Sequence, residues 1–121
     1  AVAQSSEAKE SFSVSQYLKD LVLNLNPVIK KTNISVHIDC DGSLSMNSYP
    51  GAFAQVFTNL IMNSLTHAFD PGSDGAIIIS AAERDLFIVI DYSDNGRGIR
   101  KEIQKRIFQS SGLMAYQKLK N

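Results

Sequence analysis

Gln55, Asn59, Asn63 and His67 recur every four residues through QVFTNLIMNSLTHAF. On a helix, residues four apart stand one turn above each other, so these side chains form one polar stripe that drifts slowly round the axis. An asparagine carbonyl is a hard oxygen donor of the kind that suits magnesium, which takes few protein groups and keeps waters and substrate phosphates. Further on, DYSDNGRGI places Asp94 just after an apolar run, followed by Gly96 and Gly98 at alternate positions. An ionised carboxylate only accepts hydrogen bonds, which suits it to a donor such as the exocyclic amine of adenine. Glycine in turn lets a ligand lie against the backbone. Each pattern also has a plain structural reading. Asp, Asn and Gly serve a tight turn equally well, the amides could bond a neighbouring loop, and His67 could be a structural histidine. No second histidine stands at metal spacing from it, so no zinc site is expected.

The elements that must position these residues can be read from periodicity. Phe12 and Val14 alternate with serines as in a short strand, and Tyr17, Leu18, Leu21, Val22, Leu25, Val28 and Ile29 then recur at helical intervals. Ser15 is the expected cap of that helix, and Pro27 should kink it or end its regular part. In NISVHID, Ile34, Val36 and Ile38 fall on one face and His37 and Asp39 on the other, as in a half-buried strand. DGSLSMNSYPG is turn-rich, and Ser48 with Pro50 marks the start of the stripe helix. That helix should bury Phe53, Val56, Phe57, Leu60, Ile61 and Ser64, with His67 bordering the same face, and stop near Asp70 at DPGSDG. AIIISAAE and LFIVIDYS, joined by a short polar link, suit an antiparallel hairpin. Residues 100–108 read as a charged helical turn or coil.

Composition narrows the function classes. In 121 residues, 44% are hydrophobic, which is enough for one real core. Twelve basic residues balance twelve acidic ones, so bulk electrostatics give no support for nucleic-acid binding. No apolar stretch approaches the roughly 20 residues of a spanning helix, and membrane contact by this segment is not expected. The single cysteine, Cys40, excludes an internal disulfide and reads as a small strand residue.

The stripe, the hairpin and the glycine loop, taken together, resemble the ATP-binding domain of the GHKL superfamily and, within it, the sensor histidine kinases. NLIMNSLTHAF is similar to the family's N box, DNGRGI to its first glycine box and IQKRIF to the start of its F box. The resemblance implies an α/β (α+β) two-layer sandwich of Bergerat type, a mixed sheet with helices on one face. It implies ATP and Mg2+ as cofactors, with Asn63 the magnesium ligand. Gln55 and Asn59 fall at its catalytic positions, and Asn59 is also a nucleotide-side group. Asp94 becomes the adenine reader, Gly96 and Gly98 give the nucleotide access, and His67 lies beside it. Thr66 stands where relatives often carry Lys or Arg, so one phosphate contact is expected to be missing. Hydrolytic members use a glutamate at the position of Gln55 to activate water, which an amide cannot do. Gln55 therefore favours a kinase over a GHKL ATPase.

The implied partners are a histidine-bearing dimerisation domain of the same kinase and, indirectly, a response regulator, in a cytoplasmic setting or the cytosolic part of a membrane-bound sensor. Neither His37 nor His67 stands in a phosphoacceptor context. The expected division is a leader over 1–9, the ATP-binding domain over 10–109, and a tail over 110–121. QSSGLMAYQKLKN carries no G-x-G-x-G run, so the lid and second glycine box are absent in recognisable form and the fold is expected to be incomplete at its C-terminus. An unpaired sheet edge would then invite self-association. Weak nucleotide binding and little phosphotransfer follow, because those parts wrap the β- and γ-phosphates. The alternative is a degenerate GHKL-fold interaction module without turnover.

Overall fold

The computed structural model describes residues 8–85, 87–96, 105–110 and 113–117. Its first elements are β1 (Glu10–Ser13), α1 (Val14–Ile29), β2 (Asn33–Cys40), β3 (Ser45–Ser48) and α2 (Pro50–Asn63). A π-helical turn over Ser64–Ala68 follows, then β4 (Asp74–Arg84), β5 (Phe87–Asp94), β6 (Lys105–Ser110) and β7 (Leu113–Gln117). Most of the expected leader over 1–9 falls outside the described residues, as do Gly98 and the first two residues of the expected F box.

Five strands form a mixed sheet in the order β2-β4-β5-β7-β6. β2 runs parallel to β4 and β5 parallel to β7, while β4 with β5 and β6 with β7 are antiparallel. The register explains the amphipathic strands. Val36 pairs with Ile77 and Ile38 with Ile79 across β2 and β4, and Ile77 pairs with Asp94 and Ile79 with Tyr92 across β4 and β5. Because side chains alternate along a strand, these residues share one face. Ile77, Ile79, Ile90 and Tyr92 are fully buried there, against Leu18 and Leu21 of α1 and Phe53, Phe57, Leu60 and Ile61 of α2. The opposite face carries Ser35, His37, Asp39 and the exposed Ile78. The fold is thus the expected two-layer mixed α/β arrangement, with α1 and α2 covering one face of the sheet.

Several local expectations change. Ser13, not Ser15, caps α1, accepting the Gln16 N–H at 3.2 Å, because β1 extends to Ser13 and leaves Ser15 buried inside the first turn. Pro27 is carried inside α1, which ends two residues later, where the Lys30 N–H reaches the Asn26 carbonyl. The turn-rich segment before α2 contains β3, which pairs antiparallel with β1 and buries Met46 opposite Phe12. Residues 105–110 and 113–117 are strands, where a charged helical turn or coil was expected over 100–108. β7 enters the sheet beside β5 and β6 pairs outside it, so ladder pairing overrides a weak helical pattern.

An aromatic cluster ties the small β1-β3 sheet to the helices. Phe12 lies 5.0 Å from Tyr17 and 5.4 Å from Phe53, and Phe53 lies 4.9 Å from Phe57, centroid to centroid. Tilted pairs at this spacing each contribute about 0.5–1.5 kcal/mol beyond area burial. They fix the N-terminal half of α2, and with it the start of the polar stripe.

Candidate functional site at the end of β5

Pro50 sits in the first turn of α2, as expected, but the N-cap is Tyr49, which makes no side-chain cap bond. Ser48 instead belongs to β3, and its hydroxyl is buried without a hydrogen-bond partner among the described residues. From Pro50 the helix turns its two faces apart. Phe53, Phe57, Leu60, Ile61 and, just beyond its end, Ser64 are buried as the periodicity predicts, and Val56 is half-buried. Gln55, Asn59 and Asn63 are all exposed, one turn apart along the helix. The α-helical hydrogen-bond pattern stops at Asn63, and the chain continues in the wider π turn. A π turn advances less per residue than an α turn, so His67 swings back instead of drifting toward the core. His67 is accordingly exposed. Single π turns inserted in helices often mark functional sites.

Asp94, the last residue of β5, is only 3% exposed. Its carboxylate is held from two sides. Oδ2 accepts the Ser64 hydroxyl at 3.2 Å, and Oδ1 accepts the Gly96 N–H at 3.1 Å. Ser64 Oγ is also 2.7 Å from the Tyr92 hydroxyl, which reaches the Leu60 carbonyl at 3.0 Å. Burial pushes the Tyr92 phenol well above its ordinary value; the Ser64 hydrogen bond opposes that rise and the nearby Asp94 charge adds to it. The glycine loop is anchored next door. Asn95 Oδ1 accepts the Ala76 N–H at 2.8 Å, while the Asn95 N–H donates to the Ala76 carbonyl at 3.1 Å.

Gly96 is needed for close approach. A Cβ there would run into the Ala68 carbonyl and come within 2.8 Å of the Phe69 ring. The glycine loop thus packs against the end of the π turn, and a side chain at 96 would force the two apart. Thr66 lines a cleft of about 430 Å³ with Lys31–Ile34 and Phe69–Ser73, and that lining includes none of Asn59, Asn63, His67 or Asp94.

The structure therefore brings Ser64, Asp94 and Gly96 together where the π turn meets the end of β5, and leaves Gln55, Asn59, Asn63 and His67 exposed along α2 and the π turn. Three contributors were not singled out as site residues from sequence: Ser64, Tyr92 and Asn95. For Ser64 and Tyr92 the signal was a hydroxyl at a core position just past α2 and another two residues before Asp94 on the same strand face. Among the described residues, no group of three or more His, Cys, Asp or Glu is placed to hold a metal ion.

Residues 49–118 match the family described as histidine kinase-, DNA gyrase B- and HSP90-like ATPase. The chain belongs to this ATPase family. Its fold is that of histidine kinase catalytic domains. The nucleotide-free catalytic domain of histidine kinase ThkA superposes with a TM-score of 0.68 at 19% identity, over 78% of this chain and 63% of that one. The structure of ThkA in complex with response regulator protein TrrA gives 0.66 at 19% identity, over 86% of this chain and 32% of that one. The histidine kinase domain of the Erythrobacter litoralis EL346 blue-light activated histidine kinase gives 0.62 at 19% identity, over 79% and 48%. The chain therefore spans less than two thirds of the length of these structures. No curated protein sequence matches it. Among the described residues, no helix of this ATPase-family chain is long and apolar enough to cross a membrane.

Proposed function

We propose that the chain is the ATP-binding catalytic domain of a two-component sensor histidine kinase, donating the ATP γ-phosphate to a histidine on a separate dimerisation domain, with a response regulator downstream. The observation that carries this reading is the buried Asp94 carboxylate, held by Ser64 and Gly96 beside the exposed stripe of a family ATPase domain. Asp94 accepts the adenine amine, and Gly96 shapes the adjoining loop. Asn59, Asn63 and His67 face the phosphates from the exposed side of α2 and the π turn.

The donor set fits magnesium. Asn63 would supply one hard oxygen, and nucleotide phosphates and water would supply the rest. A bound ion would supply neutralisation of the phosphate charge. Gln55, an amide, orients without abstracting a proton, so a histidine imidazole rather than water is the natural acceptor. Thr66, in place of the Lys or Arg often found in relatives, leaves one phosphate contact unmade, which favours the second reading, an interaction module that keeps the fold without turnover. The setting we infer is cytoplasmic, with domain limits near residues 10–109.

Magnesium-dependent protection from proteolysis by a non-hydrolysable ATP analogue separates the readings. Protection that is lost in Asp94→Asn supports the catalytic domain, and identical digestion with and without the analogue supports the interaction module.

A further inference from the structure

Three short contacts meet at Ser64 and Tyr92, but the two hydroxyls own only two protons. Tyr92 OH lies 3.0 Å from the Leu60 carbonyl and 2.7 Å from Ser64 Oγ, and Ser64 Oγ lies 3.2 Å from Asp94 Oδ2. An ionised carboxylate has no proton to give. If Tyr92 donated to Leu60 and Ser64 to Tyr92, a Ser64 lone pair would face a carboxylate oxygen. If Tyr92 donated to Leu60 and Ser64 to Asp94, the shortest of the three contacts, 2.7 Å between the two hydroxyls, would hold no proton. If Tyr92 donates to Ser64 and Ser64 to Asp94, the shortest contact is a hydrogen bond and the carboxylate is satisfied. Leu60 loses little by this, since its carbonyl already accepts the Ser64 backbone N–H. Tyr92, Ser64 and Asp94 are all buried, at 0%, 4% and 3% exposure, so bulk water does not easily rearrange the chain of bonds.

We infer that Tyr92 is a positioning residue that, through Ser64, fixes Asp94 as an acceptor and so makes the site select a 6-amino purine nucleotide over a 6-oxo one. The inference rests on the nucleotide-binding reading above. With Ser64 on Oδ2 and Gly96 N–H on Oδ1, the carboxylate is gripped at both oxygens by the protein and keeps further lone pairs for a ligand donor. A 6-oxo purine would set an oxygen against that carboxylate with no proton between them. The Tyr92 phenol, whose ordinary value of 10 is raised by burial, holds its proton throughout the neutral range. Without the Tyr92 hydroxyl, Ser64 Oγ loses its donor and the carboxylate rotamer loses its inner support.

Amide chemical-shift titrations of the 121-residue chain, which register weak binding, test this with magnesium ADP and magnesium inosine diphosphate. Tyr92→Phe keeps the ring in the core, and Ser64→Ala breaks the same path one step nearer Asp94. Each variant is expected to weaken ADP binding about three- to tenfold and to leave inosine diphosphate binding unchanged, so that discrimination collapses. A merely structural role would weaken both nucleotides alike, and that result, or no change in either, overturns the inference. If the unsubstituted chain binds ADP but does not prefer it to inosine diphosphate, the inference fails while nucleotide binding stands. If it binds neither, the nucleotide reading fails and the inference falls with it.

Discussion

The two faces of α2 differ in what they ask of the rest of the molecule. The inner face, Phe53, Phe57, Leu60 and Ile61, is consumed by the core, and Ser64 is consumed by Asp94 and Tyr92. The outer face, Gln55, Asn59 and Asn63, with His67 beyond it, is exposed. A polar row at a regular interval in an apolar helix could have been a buried network, but here the network lies on the other side and is built from hydroxyls. The lesson is that the inner face sets where Asp94 points and the outer face remains open to a ligand.

The largest way to break this comparison is on the inner side. Phe57→Ala should destabilise the fold by about 3–5 kcal/mol in urea denaturation, since a fully buried ring is replaced by a cavity. Gly96→Ala should cost about 1–3 kcal/mol, because the new Cβ meets the Ala68 backbone carbonyl, which cannot rotate aside. Both should show as lowered denaturation midpoints.

A subtler effect comes from the raised Tyr92 phenol. In the unfolded chain it ionises near its ordinary value of 10, while in the folded protein it stays protonated to higher pH. Its contribution to stability is therefore fully present below pH 10 and lost as pH rises from there toward the folded value. Denaturation curves measured at pH 8 and above pH 10 should show an alkaline loss that Tyr92→Phe reduces. The smallest stability effect belongs to the outer face: Asn63→Ala should change the unfolding free energy by no more than about 0.5 kcal/mol. Any magnesium-dependent gain in nucleotide affinity should nevertheless disappear. If Asn63→Ala unfolds the protein, the outer face is structural after all.

Much of this arrangement was legible in the residues. Periodicity placed α2's buried and exposed faces, the β4-β5 hairpin and β2, because each is a long, regular amphipathic pattern. It did not find β3, four residues whose partner strand lies more than thirty residues earlier, since pairing at that separation leaves no local trace. The tail strands were missed for a related reason: Lys105–Ser110 and Leu113–Gln117 are defined by their ladders with each other and with β5, against a weak helical spacing. At the site, Asp94, Gly96 and the stripe were visible as residue types at telling intervals. The Ser64-Tyr92 path was not, because it depends on α2 lying across the end of β5, which only the tertiary fold specifies.

The central claim is that a magnesium nucleotide sits at the junction of the outer α2 face and the glycine loop. Mapping amide chemical-shift changes on titration with magnesium ADP tests it most directly. The account predicts saturable shifts concentrated at Asn59, Asn63, His67, Asp94 and Gly96, absent in Asp94→Asn, with Ser35, His37 and Ile78 on the opposite sheet face unmoved. Shifts centred on that opposite face, or none at any residue, would contradict it.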